Sequence, residues 1–301
     1  MKNKLAISSL VGLVGLVAVG SAAAFIVNSN SKAENKTALE ASAAGNVVIQ
    51  AHSHGDHGNG HHHGSTVTKA NIQAKLTVAQ PIEANKPVKL VIDVQDKSGK
   101  AISKFDTFQE QLMHLIIVSE NLEFFNHIHP DYKQNGRFEV MTQFPKAGKY
   151  ALFSDYKPAG EKEQVSLLKT EVAGSNGSVA KVDLNRNKTF GKTQADLVVS
   201  ETIKAGESVN LVFSLKDAAT NQPVNDLQPY LGERGHLVIV KQSSPLTQAD
   251  YIHAHAHSMP NIPSGEVHFM AQFPQPGKYK LWGQFNRNGE IVTTDFWVNV
   301  N

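Results

Sequence analysis

Met141-Thr142-Gln143-Phe144-Pro145-Lys146-Ala147-Gly148-Lys149-Tyr150 is matched further along the chain by Met270-Ala271-Gln272-Phe273-Pro274-Gln275-Pro276-Gly277-Lys278-Tyr279. Each copy reads as a strand, a Pro/Gly turn and a return strand that begins at Tyr. A second pair of landmarks lies upstream in the same order. Pro81-Ile82-Glu83-Ala84-Asn85-Lys86-Pro87-Val88-Lys89-Leu90-Val91-Ile92-Asp93-Val94 corresponds to Thr202-Ile203-Lys204-Ala205-Gly206-Glu207-Ser208-Val209-Asn210-Leu211-Val212-Phe213-Ser214-Leu215. Two landmarks in one order mark a duplicated unit.

From about Ile72 onward the chain consists of short apolar runs separated by Gly, Pro, Asn and Asp, and helical periodicity is nearly absent. Each copy holds roughly seven strand candidates in about 100 residues, the size of an immunoglobulin-like sandwich. The expected fold is therefore all-β: two tandem immunoglobulin-like β-sandwich domains, residues 70–172 and 193–301. Ala173-Gly174-Ser175-Asn176-Gly177-Ser178 opens the connection between them. The cysteine pair of antibody domains is missing, so only the architecture is implied.

The composition narrows the function classes. The chain has 301 residues, 41% of them hydrophobic and 19% charged, with a formal net charge of +2. That balance suits a folded core and argues against a nucleic-acid partner, because no basic cluster or basic-aromatic interleaving accompanies it. Without any cysteine, disulfides, thiolate ligands, iron–sulfur clusters and cysteine nucleophiles are excluded. The nucleophile elbow, the zincin helix motif, the phosphate loop and the dinucleotide fingerprint are absent too. No catalytic or organic-cofactor residues are assigned, and the expectation is a protein that is not an enzyme.

At the N-terminus, Lys2 and Lys4 precede an uncharged apolar run from Leu5 to Val27, with small residues at Ser21-Ala22-Ala23-Ala24. Residues 1–27 read as a secretory signal peptide. The run of about 23 residues also suffices for a membrane anchor if it is retained. Either way the rest of the chain is expected outside the cytoplasm, secreted or anchored to the outer face of the membrane. Residues 28–69, rich in Ala, Ser, Asn, Gly and His, read as a disordered linker.

Histidine is the compositional outlier, with 14 residues. Six stand in the linker as His52, His54, His57, His61, His62 and His63, a tract that needs no fold to collect metal. The others recur within the duplicated domains. The first carries Met113-His114-Leu115-Ile116-Ile117-Val118, then His127-Ile128-His129-Pro130. The second carries Gly235-His236-Leu237-Val238-Ile239-Val240, then His253-Ala254-His255-Ala256-His257, and His268 on the strand before its Phe-Pro turn.

A His-x-His pair on an extended strand presents both imidazoles to one side, where a third His from a neighbouring strand completes a three-nitrogen set. Nitrogen-only sets suit copper(II), zinc or nickel, with copper favoured by intrinsic affinity. A site within the second domain, from His236, His253, His255, His257 and His268, is expected to be the stronger. The first domain offers His114, His127 and His129, with Asp131 as a possible orienting carboxylate and Glu139 at the position matching His268. A plainer reading stands beside this one: single histidines at strand ends bond backbone carbonyls and bind nothing.

Pro229-Tyr230-Leu231-Gly232-Glu233-Arg234-Gly235-His236-Leu237-Val238-Ile239-Val240, the His253-x-His255 pair and Phe273-Pro274-x-x-Gly277-x-Tyr279-x-Leu281-Trp282-x-Gln284-Phe285 resemble exported bacterial proteins of the YtkA-like kind. The corresponding segments of the first domain are similar, so the resemblance covers about two thirds of the chain. It implies small Ig-like sandwiches that handle copper outside the membrane. One departure is that the usual His-x-His-Pro ending becomes His255-Ala256-His257 in the second domain.

Together these readings predict an extracytoplasmic protein that sequesters or delivers copper, or zinc, through histidine clusters. The alternative is an Ig-like interaction or assembly module of the cell envelope with structural histidines and a protein partner. Membrane contact is expected only through an uncleaved N-terminal segment.

Overall fold

The computed structural model describes residues 72–174, 180–256 and 261–301, the side chain of His255 excepted. The leader 1–27, the linker 28–69 with His52, His54, His57, His61, His62 and His63, and also His257, lie outside the described residues. Every described residue belongs to one compact unit.

The first sandwich contains β1 (Ile72–Val78), β2 (Pro87–Asp96), β3 (Met113–Ser119), β4 (Phe125–Ile128), β5 (Asp131–Tyr132), β6 (Arg137–Gln143), β7 (Gly148–Tyr156) and β8 (Gln164–Val172). They form two sheets, β1-β2-β6-β5 and β4-β3-β7-β8, antiparallel throughout. The second contains β9 (Asn187–Phe190), β10 (Thr193–Val198), β11 (Ser208–Asp217), β12 (Leu227–Gln228), β13 (His236–Lys241), β14 (Tyr251–His255), β15 (Glu266–Gln272), β16 (Gly277–Arg287) and β17 (Glu290–Val300). Its sheets are β15-β11-β10-β9 and β12-β16-β13-β14, with β17 added along β16. Strand β9 precedes the residue-193 start suggested by the repeat, and the first sandwich has no counterpart to it among the described residues.

Alternation explains each core. On β2, Leu90, Ile92 and Val94 point inward, and on β11 Leu211, Phe213 and Leu215 do the same. The central strands β3 and β13 differ, being buried on both faces. Met113, Leu115 and Ile117 fill the first core, and Leu237 and Ile239 the second. The opposite faces, Ile116 and Val118 with Val238 and Val240, join a third apolar cluster that also holds Phe153, Tyr251, Trp282 and Trp297. The sheets β4-β3-β7-β8 and β14-β13-β16-β17 therefore pack on each other as well as on their own cores. A strand buried on both faces reads as a continuous apolar run, which is what Leu115–Val118 and Leu237–Val240 are.

The packing between the sandwiches obeys an approximate two-fold relation. Phe125 of the first stacks on Trp282 of the second at 4.9 Å, and Phe153 stacks on Tyr251 at 4.5 Å. By the repeat, Phe125 corresponds to Tyr251 and Phe153 to Trp282, so the two stacks are the same contact made in both directions. The Lys280 ammonium lies over Trp282 and Trp297 and pairs with Asp295 at 3.1 Å.

Candidate metal centre

His114, the second residue of β3, and His236, the first of β13, stand on the face that carries Ile116 and Val238, so the strand pleat aims both rings into the layer between the sandwiches. Both are fully buried. β4 brings His127 beside Ile116, and β14 brings His253 beside Val238. Five imidazoles thereby converge: His114, His127, His129, His236 and His253, with neighbouring ring centroids 4.8–6.3 Å apart.

Hydrogen bonds fix the tautomers of three of them. His114 Nε2 donates to the Phe108 carbonyl at 3.2 Å, and His236 Nε2 donates to the Tyr230 carbonyl at 3.0 Å. A carbonyl can only accept, so each ring carries its proton on Nε2 and its lone pair on Nδ1. His253 Nδ1 donates to Asp155 Oδ2 at 3.0 Å. His127 Nδ1 donates to Gln284 Oε1 at 2.7 Å, and Gln284 Nε2 donates to Thr293 Oγ1 at 3.3 Å. With its proton on Nδ1, His127 carries its lone pair on Nε2.

In the first sandwich the lone-pair nitrogens then face each other. His114 Nδ1 and His127 Nε2 are 3.0 Å apart, and His236 Nδ1 and His253 Nε2 are 3.4 Å apart. Two acceptors at 3.0 Å repel unless a cation sits between them. The proton is a poor candidate in the first sandwich. Burial, reinforced by the neighbouring imidazoles, pushes His114 down to about 2 and His127 down to about 3, and burial pushes His129 down to about 4. Two nitrogens on one zinc ion, at about 2.0–2.1 Å each, lie about 3.3 Å apart in tetrahedral geometry and about 2.9 Å apart at a right angle. The 3.0 Å spacing falls in that interval, and the 3.4 Å spacing lies just above it.

His129 completes a set. Its ring meets those of His114 and His127 edge-on at 4.9 and 4.8 Å, and its buried Nε2 has no hydrogen-bond partner. One ligand atom from each of His114, His127 and His129 lies within 4.8 Å of the others. The outward nitrogens of His114, His127, His236 and His253, held by carbonyls, an amide and a carboxylate, have the arrangement that orients metal-ligating histidines.

The centre is thus built differently from the sequence expectation of separate sites in each sandwich. The five rings come from both domains, because the faces that carry them are the faces that pack together. His255 lies opposite His236 in the strand register. His268 stands elsewhere: β15 belongs to the other sheet, and its Nε2 is hydrogen-bonded to Glu266 at 2.8 Å. Asp131 is exposed and pairs with Lys133, and Glu139 pairs with Lys89. The orienting groups are instead Asp155 and Gln284, which sequence reading missed. They occupy one repeat position, the fifth after Tyr150 and after Tyr279, where a polar residue interrupts an otherwise buried strand.

The chain belongs to the family described as a domain of unknown function, DUF8832, whose model matches residues 65–173 and again 188–301. No curated protein sequence matches it. Solved structures to which it is similar include a two-domain fibronectin type-III segment of chicken tenascin, with 13% identity, 76% of this chain and 99% of that chain covered, and a TM-score of 0.23. Others are fibronectin(III)-like modules of Clostridium thermocellum CbhA (9% identity, 75% and 93% covered, TM-score 0.23) and invasin, a bacterial integrin-binding protein (11%, 75% and 39%, 0.22). The chain spans well under half of invasin.

Proposed function

We propose that this protein binds a transition-metal ion, copper or zinc, outside the cytoplasm and stores or delivers it without catalysing a reaction. The observation that carries the reading is the opposition of His114 Nδ1 and His127 Nε2 at 3.0 Å, with the buried His129 Nε2 beside them and without a hydrogen-bond partner of its own. A metal ion relieves that opposition, and the half-buried His129 offers a route by which it enters. The extracytoplasmic placement rests on the basic and apolar N-terminal sequence, and the preference for copper on the YtkA-like resemblance and on intrinsic affinity.

The His52–His63 tract fits the same role as a collector. Ala74 N donates to Ser166 Oγ at 3.2 Å, and Ser166 pairs across the sheet with Ser154, next to Asp155. The chain therefore enters the first sandwich at its histidine-bearing end. Ile72 is nine positions after His63, and that length of extended chain reaches about 30 Å.

A second reading is an envelope interaction module in which the histidines only pin the sandwiches. The cross-domain hydrogen bonds and ring stacks favour it, since they suffice to hold the domains together. Calorimetric titration of Cu(II) and Zn(II) into the full chain with the six tract histidines changed to Asn separates the two. Saturable uptake accompanied by a rise in melting temperature supports the metal reading, and unchanged melting with no uptake supports the pin.

A further inference from the structure

We infer that the ion this centre is built for is monovalent copper, held by His114, His127 and His129 alone. This rests on the metal-binding reading above and adds the charge of the ion to it. Imidazoles bound to one ion at about 2.0–2.1 Å have centroids about 5 Å apart. His114, His127 and His129 satisfy this at 4.8–5.3 Å. His236 and His253 stand 5.8–6.3 Å from the His114 and His127 rings, too wide to share that ion. Among the described residues no carboxylate joins the group, and the buried Asp155 is bonded to His253 instead. The donor set is three neutral nitrogens.

Neutral ligands leave the whole charge of the ion to its surroundings, and here these are rings. Phe108 meets His114 edge-on at 4.8 Å, His236 lies over His114 at 6.2 Å, and Tyr230 meets His127 edge-on at 6.5 Å. His114, His127 and Phe108 are all buried. The cost of burying a charge grows with its square, so a divalent ion costs about four times as much in such a layer as a monovalent ion of equal size. Coordination number points the same way. Zinc takes four ligands and copper(II) a tetragonal set, so both complete three nitrogens with water or an anion. Monovalent copper is stable with three nitrogens and needs no further ligand. Cu(II) and Zn(II) still bind, because imidazole suits both, but more weakly.

The test uses the full chain with the six tract histidines and His257 changed to Asn. Cu(I) affinity is measured without oxygen against bicinchoninate, and Cu(II) and Zn(II) affinities against nitrilotriacetate. X-ray absorption of the Cu(I) form reads the neighbours of the ion. The expected result is one Cu(I) per chain with three nitrogen neighbours, bound at least about 100-fold, two decades of affinity, more tightly than Cu(II) or Zn(II). Cu(II) or Zn(II) held as tightly as Cu(I), or a Cu(I) shell with sulfur or a fourth nitrogen, overturns the inference and leaves the metal reading standing. No uptake of any of the three ions overturns both. His129→Gln removes a half-buried ligand. It should lower Cu(I) affinity by more than the roughly 10–100-fold usual for a partner outside the ligand shell, whereas His268→Gln leaves that affinity unchanged. Unchanged affinity in His129→Gln overturns the ligand assignment, and the absorption spectrum of the parent tests the same three nitrogens if that variant does not fold.

Discussion

His127 of the first sandwich donates from Nδ1 to Gln284 Oε1 of the second across 2.7 Å. The repeat equivalent of Gln284 is Asp155, which accepts from His253 at 3.0 Å in the reverse direction. Neither sandwich by itself supplies the outer partner of its β4 or β14 histidine, so the orientation of His127 and His253 depends on the docked pair.

Asp155→Asn keeps the size of the side chain and removes its charge. His253 then loses a carboxylate that raises its basicity as a ligand. Metal affinity should fall by roughly 10–100-fold, the usual effect of removing such a partner, while the melting temperature of the metal-free chain changes little or rises. Paired titrations and melts of the two proteins check this.

The metal-free protein should lose stability in acid. His114, His127 and His129 stay neutral in the fold, held down to about 2, 3 and 4, but protonate near 6.5 once the chain unfolds. Between those values the unfolded chain binds more protons than the folded one, so stability rises with pH across that window. It is fully present above about 6.5 and declines steadily toward 4. Thermal melts from pH 8 to 4 should show this fall, and His114→Gln combined with His129→Gln should flatten it.

Trp282 is 3% exposed and stacks on Phe125 across the domain layer. Trp282→Ala should cost about 3–5 kcal/mol, the usual range for a buried aromatic. Because the cluster joins both sandwiches, the loss should also separate their unfolding. One transition in the parent and two in the variant, followed by calorimetry, is the expected pattern.

His268 serves as the internal comparison. It lies on the sheet that carries β15 and is bonded to Glu266. His268→Gln should leave copper stoichiometry and affinity of the tract-substituted chain unchanged, whereas His127→Gln should not. Equal losses in both would move the centre away from the domain layer.

Much of the architecture was legible. The duplicated Phe-Pro-x-x-Gly-x-Tyr element gave two sandwiches, and the His-x-His spacing placed His127 and His129 on one side of the chain. The meeting of the two halves was not, because alternation within a strand names its two faces without saying what covers the second. Leu115-Ile116-Ile117-Val118 and Leu237-Val238-Ile239-Val240 did hold that information. Apolar residues of both parities require a layer on each side, and His114 and His236 share the parity of the outer one. Asp155 and Gln284 were overlooked for a related reason. A single polar residue in a strand looks like an outward position until the second layer is known.

The most direct measurement is anomalous diffraction at the zinc or copper edge from crystals grown with that ion. The account predicts a peak about 2.0–2.2 Å from one nitrogen each of His114, His127 and His129. Metal confined to surface histidines, with His114 Nδ1 and His127 Nε2 still in direct contact, would contradict it.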